Sequence, residues 1–200
     1  MWKKRGLVPL LLVGAILLGR HSVNALAIRF LPKSVTEALP GAIATDTMPD
    51  SELYYLVEGS VYDGDTLRVR RCGEQCEELK IRLCGIDAPE KDQQFGIESR
   101  DHLRSLIDRG IEDGRLIVLP VEQDRYGRTV AEIFVPMADT QEEIHLTSQM
   151  VADGYAYHYE RYSGGCPNGQ FLAGAEEQAR SRSAGVWSNP SAVKPWDYRN

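Results

Sequence analysis

The stretch from Tyr62 to Glu90 reads YDGDTLRVRRCGEQCEELKIRLCGIDAPE, and its pattern decides the fold. Thr66–Cys72 reads as a strand, entered through a bend at Asp63-Gly64. Gly73-Glu74-Gln75 is a turn, after which Glu77–Gly85 alternates with period two. Leu79, Ile81 and Leu83 face one way, and Lys80, Arg82 and Cys84 face the other. Pro89 stops this second strand and fixes the loop that carries Asp87 and Glu90.

Moving outward, Leu53–Tyr62 extends the strand pattern upstream, and the compact domain begins at Leu53. Downstream the period changes to that of a helix. Gly96–Arg109 sets Ile97, Leu103, Leu106 and Ile107 on one face and ends at Gly110. Arg115–Pro120 and Arg128–Val135 return to strand patterns. Leu146–Asp153 is a short helix stopped by Gly154, and Gln170–Ser183 is a second amphipathic one. Residues 190–200, with Pro190 and Pro195, read as a mobile tail. Strands with interspersed helices predict an α+β domain, a small barrel with helices packed against it.

The remaining N-terminal quarter is of a different character. Lys3, Lys4 and Arg5 precede an apolar run, Leu7–Gly19, whose 13 residues fall short of the roughly 20 needed to span a bilayer. Ala25-Leu26-Ala27 follows as a small-x-small cleavage site, so residues 1–27 read as a secretory signal and the protein as secreted or periplasmic. An uncleaved N-terminal anchor is the alternative. Residues 28–52, with three prolines and no sustained periodicity, read as a linker or N-terminal extension.

A chain of 200 residues, 42% hydrophobic and 26% charged, is long enough to bury a core without needing metal or disulfides. Its net charge of −6 excludes a globally basic nucleic-acid coat, though not a local basic groove. Loss of residues 1–27 removes four basic residues and no acid, taking the balance to −10. Any polyanion must then be held by specific short-range groups.

Three acidic positions stand out by context: Asp65, Asp87 and Glu90. Asp65 follows Gly64, which lets backbone turn sharply and carboxylates converge, and Asp87 lies at the end of a strand. If the two meet across neighbouring strands, they form an oxygen pocket suited to Ca²⁺ or another hard cation. Taken singly, Asp-Gly and Asp-x-Pro are ordinary turn chemistry. Arg82 precedes Asp87 by five residues and Arg128 begins a strand; two guanidinium forks suit a phosphate, whereas a lone surface arginine is a solvated charge. Tyr155, Tyr157 and Tyr159 recur at alternate positions, a stacking surface for bases or core with hydroxyls at the rim. His158 lies among them, but no nucleophile is suitably spaced from it.

Four cysteines in an exported chain allow three disulfide pairings. Cys72 and Cys76 would close a small hairpin loop. Cys84 and Cys166 would then remain as a long-range staple, stabilising by about 4 kcal/mol in the chain-entropy model. Structural zinc is the rival, although C-x3-C, then C, then a distant C-P resembles no standard finger.

YDGDTLRV at 62–69, IRLCGIDAPE at 81–90, DRYGR at 124–128, MVADGYA at 150–156 and GVWS at 185–188 follow in order. Together they closely resemble the staphylococcal nuclease (thermonuclease) family over roughly Leu53–Asn189. The resemblance implies an OB-fold barrel of five strands with three helices. It also implies calcium-dependent hydrolysis of phosphodiesters in DNA and RNA at the P–O5′ bond, leaving 3′-phosphate ends. By motif, Asp65 and Asp87 match the calcium-ligating carboxylates, and the backbone carbonyl ligand falls at Ala88, where the family often has Thr. Glu90 matches the carboxylate that activates water, and Arg82 and Arg128 match the phosphate-binding arginines. Asp63 matches a carboxylate behind the metal ligands and Tyr126 a tyrosine near the 5′ phosphate. Which of Tyr157, Tyr159 and Tyr162 stacks on a base stays open. The cysteines are not part of the basic pattern.

The competing class is a catalytically silent OB-fold module that only holds nucleic acid. Degenerate copies lose the metal carboxylates and arginines; this chain keeps Asp65, Asp87, Glu90, Arg82 and Arg128. A purely structural acidic domain leaves that retention unexplained. The charge balance further implies a preference for single-stranded substrates, whose unstacked bases reach an aromatic platform. No protein partner is implied, and the expected state is a monomer.

Overall fold

A computed structural model describes residues 54–72, 75–110, 114–137 and 142–200. The expected signal sequence and the linker to residue 52 lie outside the described residues.

Five strands close into a barrel. They are β1 (Tyr54–Leu56), β2 (Thr66–Cys72), β3 (Cys76–Leu83), β5 (Arg115–Gln123) and β6 (Thr129–Pro136). Antiparallel pairings run β1–β2, β2–β3, β5–β6 and β1–β5, and β3 meets β6 in parallel, with Leu83 opposite Ala131. The ring β1-β2-β3-β6-β5 is thus complete, the OB-fold architecture that the sequence led one to expect. Two short elements, β4 (Ile86–Asp87) and β8 (Tyr157–His158), pair beside it, and β7 (Glu143–His145) pairs antiparallel with β6.

Period-two patterning fills the barrel. Leu67, Val69, Ile81, Leu83, Leu116, Ala131, Ile133 and Val135 are buried in one contiguous core. The three expected helices are present as α1 (Gly96–Ile107), α2 (Leu146–Ala152) and α4 (Leu172–Ser181), joined by two single turns, α3 (Glu160–Ser163) and α5 (Pro195–Tyr198). Leu103, Leu106, Leu146, Met150, Val151 and Leu172 pack them onto the barrel.

Three expectations need correction. The strand expected over Leu53–Tyr62 is only Tyr54–Leu56 among the described residues, because Gly59 turns the chain with φ of +70°. Ile97 is 42% exposed rather than on the core face. At about 100° per residue it lies roughly opposite Leu106, and Gly96 and Ser99 take the buried positions in that first turn. The tail beyond Asn189 is a packed segment: Pro195 is buried, Trp196 stacks on Tyr159, and Gln93 donates to the Val193 carbonyl.

Cys72 is bonded to Cys76, and Cys84 to Cys166, so no free cysteine remains for zinc. The second bridge ties the end of β3 to the loop after α3 across 82 residues.

Candidate active site

Asp63, Asp65, Arg82, Asp87, Ala88, Glu90, Tyr126, Arg128 and Tyr159 line one cleft of about 1250 Å³. The two sequence segments that carry the acids come together through a glycine. A Cβ on Gly64 would lie 1.8 Å from Ser99 Oγ and 2.8 Å from Ala88 Cβ, so only glycine lets the Asp63–Asp65 bend seat against the Asp87–Glu90 loop. Gly96 does the same below that loop, where a Cβ would lie 1.8 Å from the Glu90 carbonyl oxygen.

The acids are locked by hydrogen bonds. Ala88 N–H donates to Asp65 Oδ2 at 2.7 Å, Thr66 Oγ1 to Asp65 Oδ1 at 3.1 Å, and Asp65 N–H to Asp63 Oδ1 at 3.0 Å. Asp65 and Asp87 are both buried, and one guanidinium spans them: Arg82 Nη1 contacts Asp65 Oδ1 while Nη2 lies 2.6 Å from Asp87 Oδ1. Arg82 Nη2 also donates to the Ile86 carbonyl at 3.1 Å. Its strand address explains this reach. Arg82 sits on the outward face of β3 opposite Thr66, the residue that follows Asp65.

Burial pulls the Arg82 guanidinium below its ordinary pKa, against the opposing pull of Asp87 and Asp63. Burial likewise pushes the Asp63 carboxyl above the ordinary carboxylate value, opposed by Arg82, Thr66 and Arg128. Arg128 is held from the other side. Asp124 accepts its Nε–H at 2.7 Å and its backbone N–H at 2.9 Å, and Arg128 lies 5.5 Å from the Tyr126 ring. Partial desolvation of Asp124 is outweighed by the N–H groups of Arg128 and Tyr126, which hold its carboxyl below the ordinary value.

Among the described residues the side-chain atoms able to ligate a metal at Asp65 and Asp87 are carboxylate oxygens, which fits a hard divalent cation, with the Arg82 guanidinium spanning the pair. Among the described residues no group of three or more His, Cys, Asp or Glu gathers into a metal cluster. A cation at the Asp65/Asp87 pair would therefore complete its shell with backbone carbonyl or water oxygens.

The tyrosines separate by depth. Tyr155 stacks on His102 with ring centres 4.2 Å apart, away from the cleft, and Tyr157 is buried edge-on against Trp187 and Trp196. Only Tyr159 of that alternating trio lines the cleft, joined by Tyr162 and by Tyr126, which is 68% exposed. His158 pairs with Ser163 Oγ at 2.8 Å and does not line the cleft.

Two groups escaped sequence reasoning. Arg199 reaches Asp87 Oδ2 and Glu90 Oε1, each at 2.6 Å, and Trp196 lies parallel to Tyr159 at 4.7 Å. Aromatic and basic residues in PWDYR were the only available signal, and nothing local shows where a tail docks. Lys80, Arg125 and Arg161 line the cleft as well, so among the described residues its six basic side chains face six acidic ones, a balanced cleft in an acidic chain.

Comparison with known proteins agrees with this architecture. The profile described as staphylococcal nuclease homologue matches residues 80–189. The chain is 34% identical over 142 residues to a micrococcal nuclease of Shigella flexneri, covering 70% of this chain and 76% of that protein. It is 32% identical over 141 residues to an uncharacterized endonuclease of Escherichia coli O157:H7, covering 70% and 81%. A staphylococcal-like nuclease of Arabidopsis thaliana is 34% identical over 123 residues, 62% of this chain and 34% of that protein. With its closed five-stranded barrel and a family match over more than half its length, the chain belongs to the staphylococcal nuclease homologue family.

Proposed function

We propose that this protein is a calcium-dependent nuclease that hydrolyses DNA and RNA, preferring single strands, at the P–O5′ bond to leave 3′-phosphate ends. The observation that carries the reading is the convergence of Asp65, Asp87 and Glu90 with Arg82 and Arg128 in one cleft. Family membership supports hydrolysis of nucleic acid; the metal, strand preference and end chemistry are inferred from the residues and the resemblance.

Asp65 and Asp87, with the Ala88 carbonyl, would hold the cation, which when bound neutralises a phosphate oxygen and so acts as a Lewis acid. Glu90 takes a proton from the attacking water. Arg82 and Arg128 place guanidinium N–H groups against the phosphate oxygens, where negative charge grows in the transition state. Asp63 orients the Asp65 backbone and Asp124 orients Arg128. Tyr159 offers a ring to a base, and Tyr126 lies beside Arg128 near the 5′ phosphate position.

The two disulfides support folding in an oxidising compartment, in keeping with an exported protein. Hydrolysis of denatured DNA and of RNA by the purified protein with calcium, repeated in chelator, tests the reading. We expect loss of activity in chelator, recovery on adding calcium, and 3′-phosphate products. Undiminished hydrolysis in chelator would overturn the metal assignment, and 5′-phosphate products the bond assignment.

A further inference from the structure

Three tyrosine–cation pairs involve side chains of the cleft: both members of two pairs line it, and of the third only Lys80 does. Lys80 Nζ lies 5.5 Å from the Tyr62 ring centre, Arg125 4.8 Å from that of Tyr126, and Arg161 5.4 Å from that of Tyr162. Among the described residues none of these three cations makes an ion pair, unlike Arg82, Arg128 and Arg199, which are bound to carboxylates. Tyr62 is 41% exposed and Tyr162 56% exposed, so each ring has a free side. Tyr62 also has Arg68 5.8 Å from its centre, but Arg68 faces Glu78 at 3.9 Å, which leaves Lys80, its neighbour across the β2–β3 ladder, as the uncommitted cation.

Position relates these groups to the chemistry. Lys80 shares the outward face of β3 with Arg82, about 6.6 Å further along the strand. Tyr62 directly precedes the Asp63–Asp65 bend. Tyr162 packs edge-on against Tyr159 at 4.8 Å. A flat ring beside an uncommitted cation binds one nucleotide, the base on the ring and the phosphate on the charge.

Resting on the nuclease reading, we propose that Tyr62 with Lys80 is a further nucleotide subsite for the strand flanking the scissile phosphate, beyond the base platform of Tyr159 and Tyr162. The protein would then favour oligonucleotides over dinucleotides. The test uses the inert Glu90→Gln background, measuring dissociation constants for a single-stranded dinucleotide and a dodecamer against salt at fixed free calcium. Tyr62→Ala should weaken dodecamer binding by roughly 5- to 100-fold and leave the dinucleotide unchanged. Lys80→Gln should lower the salt slope for the dodecamer by about 0.7. Equal losses for both lengths, or no loss for either, would overturn the subsite. Failure of the parent to bind any oligonucleotide would overturn the nuclease reading itself.

A second inference comes from the C-terminal segment and rests on the same reading of the site. Arg199 Nη2 lies 2.6 Å from Asp87 Oδ2, and Nη1 lies 3.2 Å from Asp87 Oδ1 and 2.6 Å from Glu90 Oε1. Trp196 stacks on Tyr159 at an interplanar angle of 14°, as a base would. One short segment thus places a positive charge on a carboxylate assigned to the metal and on the one assigned to water, and an aromatic ring on a base platform. We infer that residues 190–200 are an internal competitor that must leave before cation and substrate enter together.

Calorimetric titration with calcium, without nucleic acid, reads this directly. Arg199→Gln keeps the tail and removes the charge, and should bind calcium about tenfold tighter or more than the parent. Trp196→Ala should bind a short single strand tighter in the Glu90→Gln background. Unchanged or weaker calcium binding by Arg199→Gln would overturn the competitor. Absence of calcium binding in both parent and variant would overturn the metal assignment on which it rests.

Discussion

Ala88 donates its backbone N–H to Asp65 Oδ2 at 2.7 Å, joining two loops that lie 23 residues apart. The bond aims the Asp65 carboxylate and fixes the turn that presents Asp87. Structure and chemistry therefore share one oxygen atom.

Replacing Asp65 separates the two roles. Asp65→Ala should abolish hydrolysis and also leave the buried Ala88 N–H unpaired, at a cost of about 1–3 kcal/mol. Asp65→Asn can keep an acceptor for Ala88 while losing the charge. It should unfold near the parent temperature yet remain inactive, which thermal denaturation and a hydrolysis assay would show side by side. Full activity in Asp65→Asn would refute the assignment.

Asp63 presents the opposite balance. Its folded pKa lies above the unfolded carboxylate value of about 3.9, so the folded state holds the proton more tightly. Stability is therefore lost as pH rises through the folded value, and ionised Asp63 burdens the fold at neutral pH. Asp63→Asn should raise Tm at pH 7 and leave it unchanged below pH ~3.9, while lowering activity. A Tm gain that persists in acid would mean the effect is not ionisation.

Asp124 should matter through Arg128. Asp124→Ala should lower turnover by between ten- and a hundredfold, less than the roughly 10²–10³ expected for Arg128→Ala. In an Arg128→Ala background it should add nothing. Its pH signature is also set: the folded carboxyl titrates below the unfolded value, so its contribution to stability is present above ~3.9 and fades as pH falls through the folded value. Asp124→Asn should flatten that acid limb in a pH series of denaturant melts.

The two disulfides should differ in weight. Loss of Cys84–Cys166 by double alanine substitution should cost about 4 kcal/mol, against about 2 kcal/mol for Cys72–Cys76, because the longer loop constrains the unfolded chain more. Denaturant melts of the two double variants give the comparison. Alkylation of unreduced protein followed by intact mass should find no free thiol.

Much of this was local, and so legible in order along the chain. Alternation in TLRVRRC and ELKIRL determined the two strands and put Arg82 on the outward face of its strand. The turn chemistry of DGD and of DAPE placed the carboxylates at strand ends. Helix α1 was legible in its length but not in its contact face, since Ile97 contributed hydrophobicity without the right angular position. What only tertiary structure decided were the encounters between segments far apart in sequence. Gly64 meeting Ser99, Asp65 reaching Ala88, Tyr157 sinking under two tryptophans and Arg199 closing on Asp87 all depend on how the barrel curls and where the helices lie on it. A side chain's periodicity is written in its neighbours two to four positions away. Its partner across the cleft is set by the closure of β3 onto β6, which no window of sequence contains.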